Sequence, residues 1–363
     1  MSGGGTGGHI FPAIAIANKL KEHYPHADIL FVGAKGRMEM EKVPRAGYPI
    51  QGLWISGFQR RLTLDNLSFP FKLVSSLCKA RKIINNFKPH VAIGTGGYAS
   101  GPLLYMASRK KVPTLILEQN SFPGITNKIL GKRVNTVCVA YNGMEKYFPQ
   151  NKLTITGAPI RKEILSLSTT REEGLKHFGL NKEEPVLLII GGSQGARGIN
   201  TAIEQNLDAI AALGIQIIWQ TGSASFKNAE KAAQKSRFKA NIRVTEFIYE
   251  MDKAYAAASL IVSRAGAIAI AEIVAVGKPA IFIPLPSAAE DHQTKNARSL
   301  SEKGAGILLP EKDAKTKIVA EIKALAESAE KRNDIIKNLT AFKTDDATQN
   351  IVNEVDKLIN KKR

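Results

Sequence analysis

L-I-V-S-R-A-G-A-I-A-I-A-E-I-V-A-V-G-K-P-A-I-F-I-P-L-P-S-A-A-E-D-H-Q-T-K-N, residues 260–296, decides how this chain folds. An apolar strand over Leu260 to Val262 runs into a small-residue turn, Ser263 to Ala267, and a helix follows whose first N–H groups have no intrahelical partner. A helix start of this kind attracts anions, because its donors and its dipole both favour negative charge. One turn on, the otherwise apolar helix carries a single carboxylate, Glu272. A second strand, Pro279 to Pro284, leads into a polar loop with Glu290, Asp291, His292, Gln293 and Asn296. These groups suit a nucleotide sugar: N–H donors for a pyrophosphate, a carboxylate for paired ribose hydroxyls and amides for sugar hydroxyls. Glu272 also has a plainer reading, as a helix residue touching solvent and favoured there by the dipole alone.

Working back from this stretch, the polar segment from Arg161 to Glu184 resets the pattern, and Pro185 to Ile190 is a continuous apolar run, the mark of a strand buried on both faces. A glycine turn (Gly191 to Gly198) and a helix follow it. Further strands are expected at Ile215 to Trp219, Ile242 to Val244 and Ile307 to Leu309. The chain before residue 160 repeats the same grammar, with strands at Ile29 to Val32, Val91 to Gly94, Thr114 to Leu117, Val134 to Val139 and Leu153 to Thr156. Strand, glycine or polar turn, helix, repeated, makes a parallel doubly wound sheet. Two α/β domains are therefore expected, over residues 1–160 and 161–342. An amphipathic helix near Ala347 to Lys361 closes the chain, its Ile351, Val352, Val355, Leu358 and Ile359 on one face.

The opening M-S-G-G-G-T-G-G-H reads as a glycine-rich turn over Gly3 to His9, with a helix from Pro12 to Leu20. Gly3, Gly5 and Gly8 satisfy G-x-G-x-x-G, but the acid of a dinucleotide site should end the second strand, and Gly33-Ala34-Lys35-Gly36 stands there instead. A first strand should precede this turn and only Met1 and Ser2 do, so about five or six β-forming residues are expected upstream.

With 51 Lys and Arg against 32 Asp and Glu, the net charge is +19, which calls for an anionic partner. The basic residues concentrate between Gly57 and Lys88, among Phe58, Leu62, Leu64, Leu67, Phe69, Phe71 and Leu73. That combination suits an anionic bilayer surface, and the half after Phe71 equally suits a helix whose apolar side is core. Nucleic acid is a poor fit, because aromatic-rich RNP-like strands, zinc spacing and an arginine-rich tail are all missing. No stretch of about 20 apolar residues spans a bilayer. Cys78 and Cys138 show no metal-binding spacing and point to a reducing compartment.

Six motifs in order, G-G-G-T-G-G-H-I-F-P-A, G-T-G-G-Y-A-S-G-P, E-Q-N-S, G-G-S-Q-G-A-R, S-R-A-G-A and D-H-Q-T-K-N-A, make the chain resemble the bacterial peptidoglycan N-acetylglucosaminyltransferases of the MurG family. The resemblance runs from residue 2 to the last helix. It implies a GT-B fold, two Rossmann-like domains facing a cleft, with the terminal helix (about 343–363) packing back on the first. It also implies transfer of GlcNAc from UDP-GlcNAc to lipid I, undecaprenyl-pyrophosphoryl-MurNAc-pentapeptide, giving lipid II. The enzyme would lie on the cytoplasmic side of the inner membrane as a peripheral protein, beside other cell-wall synthesis proteins.

Carried over by motif, the donor would meet Arg161, Ser193, Ile248, the run Ala267, Ile268, Ala269, Ile270, Ala271 and Glu272, and Gln293. Thr6, Gly7, Gly8 and Asn120 would reach it from the first domain. The acceptor pyrophosphate would meet Gly5 and the second glycine turn, at Thr95, Gly96, Gly97, Tyr98 and Ser100. Two positions depart from the pattern: Leu117 stands where relatives often have His, and His292 precedes Gln293 where many carry Gln-Gln.

Attack of a sugar hydroxyl on the anomeric carbon needs a base and stabilisation of departing UDP. No D-x-D tripeptide occurs, so no metal or other cofactor is expected, and the Ala267 helix start with Arg161 would take the leaving charge. His9 is the first candidate for the base and Glu118 the reserve; His9 also has a plainer reading as a phosphate ligand or helix cap. Other UDP-sugar transferases and UDP-GlcNAc 2-epimerases share such a scaffold, but would not need the basic, apolar 57–88 surface.

Overall fold

The computed structural model describes residues 1–57, 68–192 and 195–360. It forms two compact units, Met1–Ile160 with Thr344–Arg363, and Arg161–Lys343. In the second unit six parallel strands run in the order β10-β9-β8-β11-β12-β13: Val186–Ile190 (β8), Gln216–Gln220 (β9), Ile242–Thr245 (β10), Leu260–Ser263 (β11), Ala280–Phe282 (β12) and Ile307–Leu308 (β13). Every residue of β8 is buried, as its unbroken apolar run requires of a strand covered on both faces. Strand order reverses between β8 and β11, and loops leaving the carboxyl ends of strands at such a point open outward together.

The first unit holds Ser2–Gly3 (β1), Phe31–Ala34 (β2), Ile50–Leu53 (β3), Ala92–Gly96 (β4), Thr114–Glu118 (β5), Thr136–Val139 (β6) and Leu153–Ile155 (β7). Five strands follow the order β1-β4-β5-β6-β7, and β2 pairs with β3. Met1 ties the two sets together: its amino group donates to the Leu30 carbonyl at 2.7 Å, and Val32 N–H donates to the Met1 carbonyl at 2.8 Å. Both units are thus Rossmann-like, with parallel sheets whose order reverses at the first strand.

Three details differ from the sequence reading. A first strand is present in this chain, because Ser2 and Gly3 pair in parallel with Gly94 and Gly96 of β4. β3 was not foreseen, since Y-P-I-Q-G-L-W has neither clean alternation nor an unbroken apolar run. The first helix spans Gly7–His23, so Gly7, Gly8 and His9 belong to its first turn and Pro12 lies inside it. Pro12 has no N–H for the carbonyl four residues back, which is that of Gly8. The Gln119 side chain donates to that carbonyl instead, and the helix tolerates the proline.

The Ala267–Val276 helix stops where A-V-G-K-P requires. Gly277 takes the left-handed conformation (φ 65°, ψ 38°) and returns its N–H to Ile273 O at 3.0 Å. The closing helix, Ala347–Asn360, packs Ile351, Val352 and Val355 into the first unit against Ile16, Ile93 and Leu115. Its neighbours hold its far side: Asp356 accepts from Tyr24 Oη at 2.7 Å and pairs with His23 Nε2 at 3.1 Å.

Candidate functional site

In the first unit the two glycine turns lie at the β1/β4 reversal and interlock. Gly4 N–H donates to Gly96 O at 3.3 Å, and Thr95 Oγ1 donates to His9 O at 2.6 Å. A Cβ on Gly96 (φ +108°) would overlap the His9 ring, and one on Gly97 (φ +89°) would overlap the Gly4 carbonyl. Glycine is therefore obligatory at both, because the backbones pack where side chains would stand. Thr6 and Gly8 are exposed, and the first N–H groups of the Gly7–His23 helix have no intrahelical partner.

His9 sits half-buried in this cradle with Nδ1 2.8 Å from the Thr95 carbonyl. Gln119 Nε2 also stands 3.2 Å from Nδ1; a carbonyl only accepts, so the shorter contact to Thr95 O is a hydrogen bond in the tautomer with the hydrogen on Nδ1, in which Nε2 is the basic nitrogen. Among the acceptor candidates, Gly5, Gly97 and Tyr98 remain at least partly exposed, Tyr98 at 47%. Thr95 and Ser100 are fully buried and use their hydroxyls inside the turn, Ser100 on Gly96 O at 2.8 Å and Ser2 O at 3.0 Å. Their hydroxyls brace the loops.

Glu118, the reserve candidate for the base, ends β5. Its carboxylate is buried, Oε1 accepts from the backbone and side chain of Asn120, both at 3.0 Å, and Oε2 accepts from Gly124 N at 3.1 Å and Asn127 Nδ2 at 2.9 Å. Burial raises its pKa, while these donors pull the other way. Four donors on two buried oxygens make it the anchor of the E-Q-N-S loop. Asn120 is half-buried on that loop. Sequence reasoning also missed Glu39, which is fully buried and accepts from Gly5 N at 2.9 Å and Ala34 N at 3.0 Å, closing the glycine turn from behind.

In the second unit the Ala267–Glu272 run follows the carboxyl end of β11, at the β8/β11 reversal, and Gln293 follows β12. Gly266 caps the Ala267–Val276 helix in an extended conformation, so the first turn, Ala267 to Ile270, begins at the carboxyl end of β11. Arg264, 8% exposed, ties this turn down: Nη1 donates to Ile283 O at 3.1 Å and Pro284 O at 3.0 Å, and Nη2 pairs with Glu311. Asn296 Nδ2 donates to Ala265 O at 3.3 Å. Ile268, Ala269 and Ala271 are half-buried, and Ala267 and Ile270 are buried.

Glu272, 4% exposed along its side chain, does not reach into solvent. Arg161 grips it with two charge-assisted bonds, Nε to Oε1 at 2.8 Å and Nη2 to Oε2 at 3.0 Å, and Tyr255 Oη donates to Oε2 at 3.0 Å. Arg161 and Glu272, assigned separately to pyrophosphate and ribose, are thus partners of each other. Gln293 accepts from Leu285 N–H at 2.9 Å through Oε1, which directs its amide nitrogen elsewhere as a donor. It stands in the first turn of the His292–Ser301 helix, just after two residues in the left-handed conformation, Glu290 (φ 55°) and Asp291 (φ 53°). Backbone strain of this kind collects where a loop must present particular atoms. Ile248 buries its side chain between half-exposed Phe247 and exposed Tyr249. Ser193 lies outside the described residues, as do Arg60 and Arg61 of the basic stretch.

The Phe69–Phe87 helix buries one set of its residues and exposes another. Ser76, Ala80, Ile83 and Ile84 are buried, while Phe71 (72% exposed) and Val74 (62% exposed) stand outward near Lys72. Among the described residues no helix is long and apolar enough to cross a membrane, and no cluster of three or more His, Cys, Asp or Glu is placed to hold a metal ion.

The chain matches the family models for the glycosyltransferase family 28 N-terminal domain over residues 1–139 and the C-terminal domain over residues 186–351. A protein of Cytophaga hutchinsonii named UDP-N-acetylglucosamine–N-acetylmuramyl-(pentapeptide) pyrophosphoryl-undecaprenol N-acetylglucosamine transferase is 50% identical over 363 residues, covering 100% of this chain and 97% of the relative. A protein of the same name from Christiangramia forsetii is 49% identical over 362 residues, covering 100% and 98%. The crystal structure of Acinetobacter baumannii MurG superposes with a TM-score of 0.80 at 27% identity, covering 98% of each chain.

Proposed function

The chain belongs to glycosyltransferase family 28, both of whose domains it carries, and from that premise we propose that it catalyses the reaction its relatives are named for. It moves N-acetylglucosamine from UDP-GlcNAc onto the muramyl sugar of lipid I, producing lipid II and UDP. The observation that carries the donor reading is Glu272, a carboxylate held beside a helix start at a strand-order reversal, where N–H donors suit a diphosphate and a carboxylate suits a ribose. Transfer of radiolabelled GlcNAc from UDP-GlcNAc onto synthetic lipid I tests the reaction directly. An enzyme that leaves lipid I unlabelled while epimerising UDP-GlcNAc would overturn it.

In this reading the second domain binds the nucleotide and the glycine turns of the first take the acceptor diphosphate. The acceptor hydroxyl gives its proton to His9 Nε2 as it bonds to the anomeric carbon, and UDP departs with the electron pair of the broken C–O bond. A single displacement inverts the donor configuration. The helix start at Ala267 and Arg161 stabilise the leaving diphosphate. Glu272→Gln is expected to weaken UDP-GlcNAc by about 1 to 3 kcal/mol, because a neutral amide replaces a charge-assisted acceptor. Gln keeps an oxygen for Tyr255, so the fold should survive. Calorimetric titration giving parental affinity would refute the ribose role.

The acceptor is lipid-linked, and exposed Phe71 and Val74 beside Lys72 suit an anionic membrane surface. Each surface Lys or Arg adds about 1 kcal/mol near such a membrane. Replacing Arg60, Arg61 and Lys72 by Glu should therefore reduce co-sedimentation with phosphatidylglycerol vesicles, most strongly at low salt. Unchanged binding would assign the face to something other than lipid. In this reading the enzyme works as a peripheral protein on the cytoplasmic side of the inner membrane, beside other cell-wall synthesis proteins.

A further inference from the structure

Among the described residues three hydrogen bonds reach the Glu272 carboxylate, and one of them comes from a buried phenol. A carboxylate offers about four lone-pair sites. Oε2 uses both of its own, on Arg161 Nη2 and Tyr255 Oη, whereas among the described residues Oε1 accepts from Arg161 Nε. The two partners differ in mobility. The Arg161 side chain is 47% exposed on a long flexible stem, but Tyr255 is 1% exposed in the core. The Met251–Ala257 helix that carries it is clamped by its neighbour: a Cβ on Gly174 of the Arg171–Phe178 helix would stand 2.8 Å from Ala257 N. Backbone that close cannot shift without unpacking both helices.

We propose that Tyr255 is a positioning residue of the nucleotide site, holding Glu272 by Oε2 so that Oε1 is presented to a ribose hydroxyl. This rests on the reading of Glu272 as the ribose acceptor. Burial, and then the neighbouring Glu272 charge, push the phenol pKa well above its ordinary value, so the hydroxyl remains a donor at any working pH. A glutamate with three rotatable bonds gains its aim from such a fixed donor, since without one it must pay the ordering entropy on each binding event.

The test compares UDP, 2′-deoxy-UDP and 3′-deoxy-UDP by calorimetry on the full chain. The parent should prefer UDP over one deoxy compound by at least about tenfold, because the site is built to accept from that hydroxyl. In Tyr255→Phe that preference should narrow to about twofold, through weaker UDP binding, while affinity for the same deoxy compound moves less than about threefold. Equal weakening of UDP and the deoxy compounds, or an undiminished preference, overturns the proposal, since a merely structural tyrosine would act on all three alike. Glu272→Gln separates the two levels. If it retains the parental preference, the ribose reading itself fails; if it loses the preference and Tyr255→Phe keeps it, only the role of Tyr255 fails. Should the Phe variant melt below the assay temperature, 3,5-difluorotyrosine at position 255 keeps the ring and strengthens the donor. The preference must then change, and constancy overturns the proposal.

Discussion

Turnover of His9→Ala is expected to fall by about 10²- to 10⁴-fold, with UDP affinity nearly intact. In the proposed mechanism the imidazole donates from Nδ1 to Thr95 O, 2.8 Å away, and Nε2 takes the proton of the attacking hydroxyl. His9→Gln is the sharper control, because its amide can imitate the hydrogen bond but cannot act as a base near neutral pH. Both variants should lose turnover alike. A loss confined to the acceptor KM, with kcat preserved, would reduce His9 to a phosphate ligand, and the base would have to be sought elsewhere.

Gly97→Ala should destabilise the first domain by about 2 to 5 kcal/mol. Left-handed backbone costs an L-residue about 1 to 2 kcal/mol, and forcing a methyl into packed backbone adds about 1 to 3. Gly97 faces both costs, since φ is +89° and its Cβ would meet the Gly4 carbonyl. Gly36 isolates the first, with φ +69° and nothing within 4 Å of an added Cβ. Scanning calorimetry should show Gly97→Ala melting about 5 to 15 °C lower than the parent and Gly36→Ala only a few degrees lower. Similar shifts for the two would mean that the glycine turns do not interlock as described. Activity of Gly97→Ala below its melting temperature should also fall, because the same displacement moves Thr95 away from His9.

Most of the fold was legible because it rests on local rules. The apolar run Pro185 to Ile190 is a strand buried on both faces, and A-V-G-K-P ends a helix, whatever surrounds them. Where local rules competed with distant partners, the reading slipped. Pro12 looked like a helix start, and only the Gln119 side chain, more than a hundred residues away, lets the helix begin at Gly7. The strand Ile50–Leu53 gains its pairing from Phe31–Ala34 and not from its own pattern.

At the candidate site, residue types and motif order determined which loops matter: the two glycine turns, the helix start at Ala267 and the loop bearing Gln293. What those residues do to one another was decided by tertiary structure alone. Glu118 and Glu272 are both single acids after apolar stretches, yet one is consumed by four donors of its own loop and the other is shared between Arg161 and Tyr255. Tyr255, Glu39 and Arg264 carried no warning, because a buried tyrosine on an apolar helix, an acid in a first turn and an arginine in a motif each look ordinary in one dimension. A hydrogen bond depends on distance and direction between atoms. Sequence supplies the donors and acceptors; packing of the sheets and helices brings Arg161 to Glu272 across 111 positions and thereby sets which lone pairs are used.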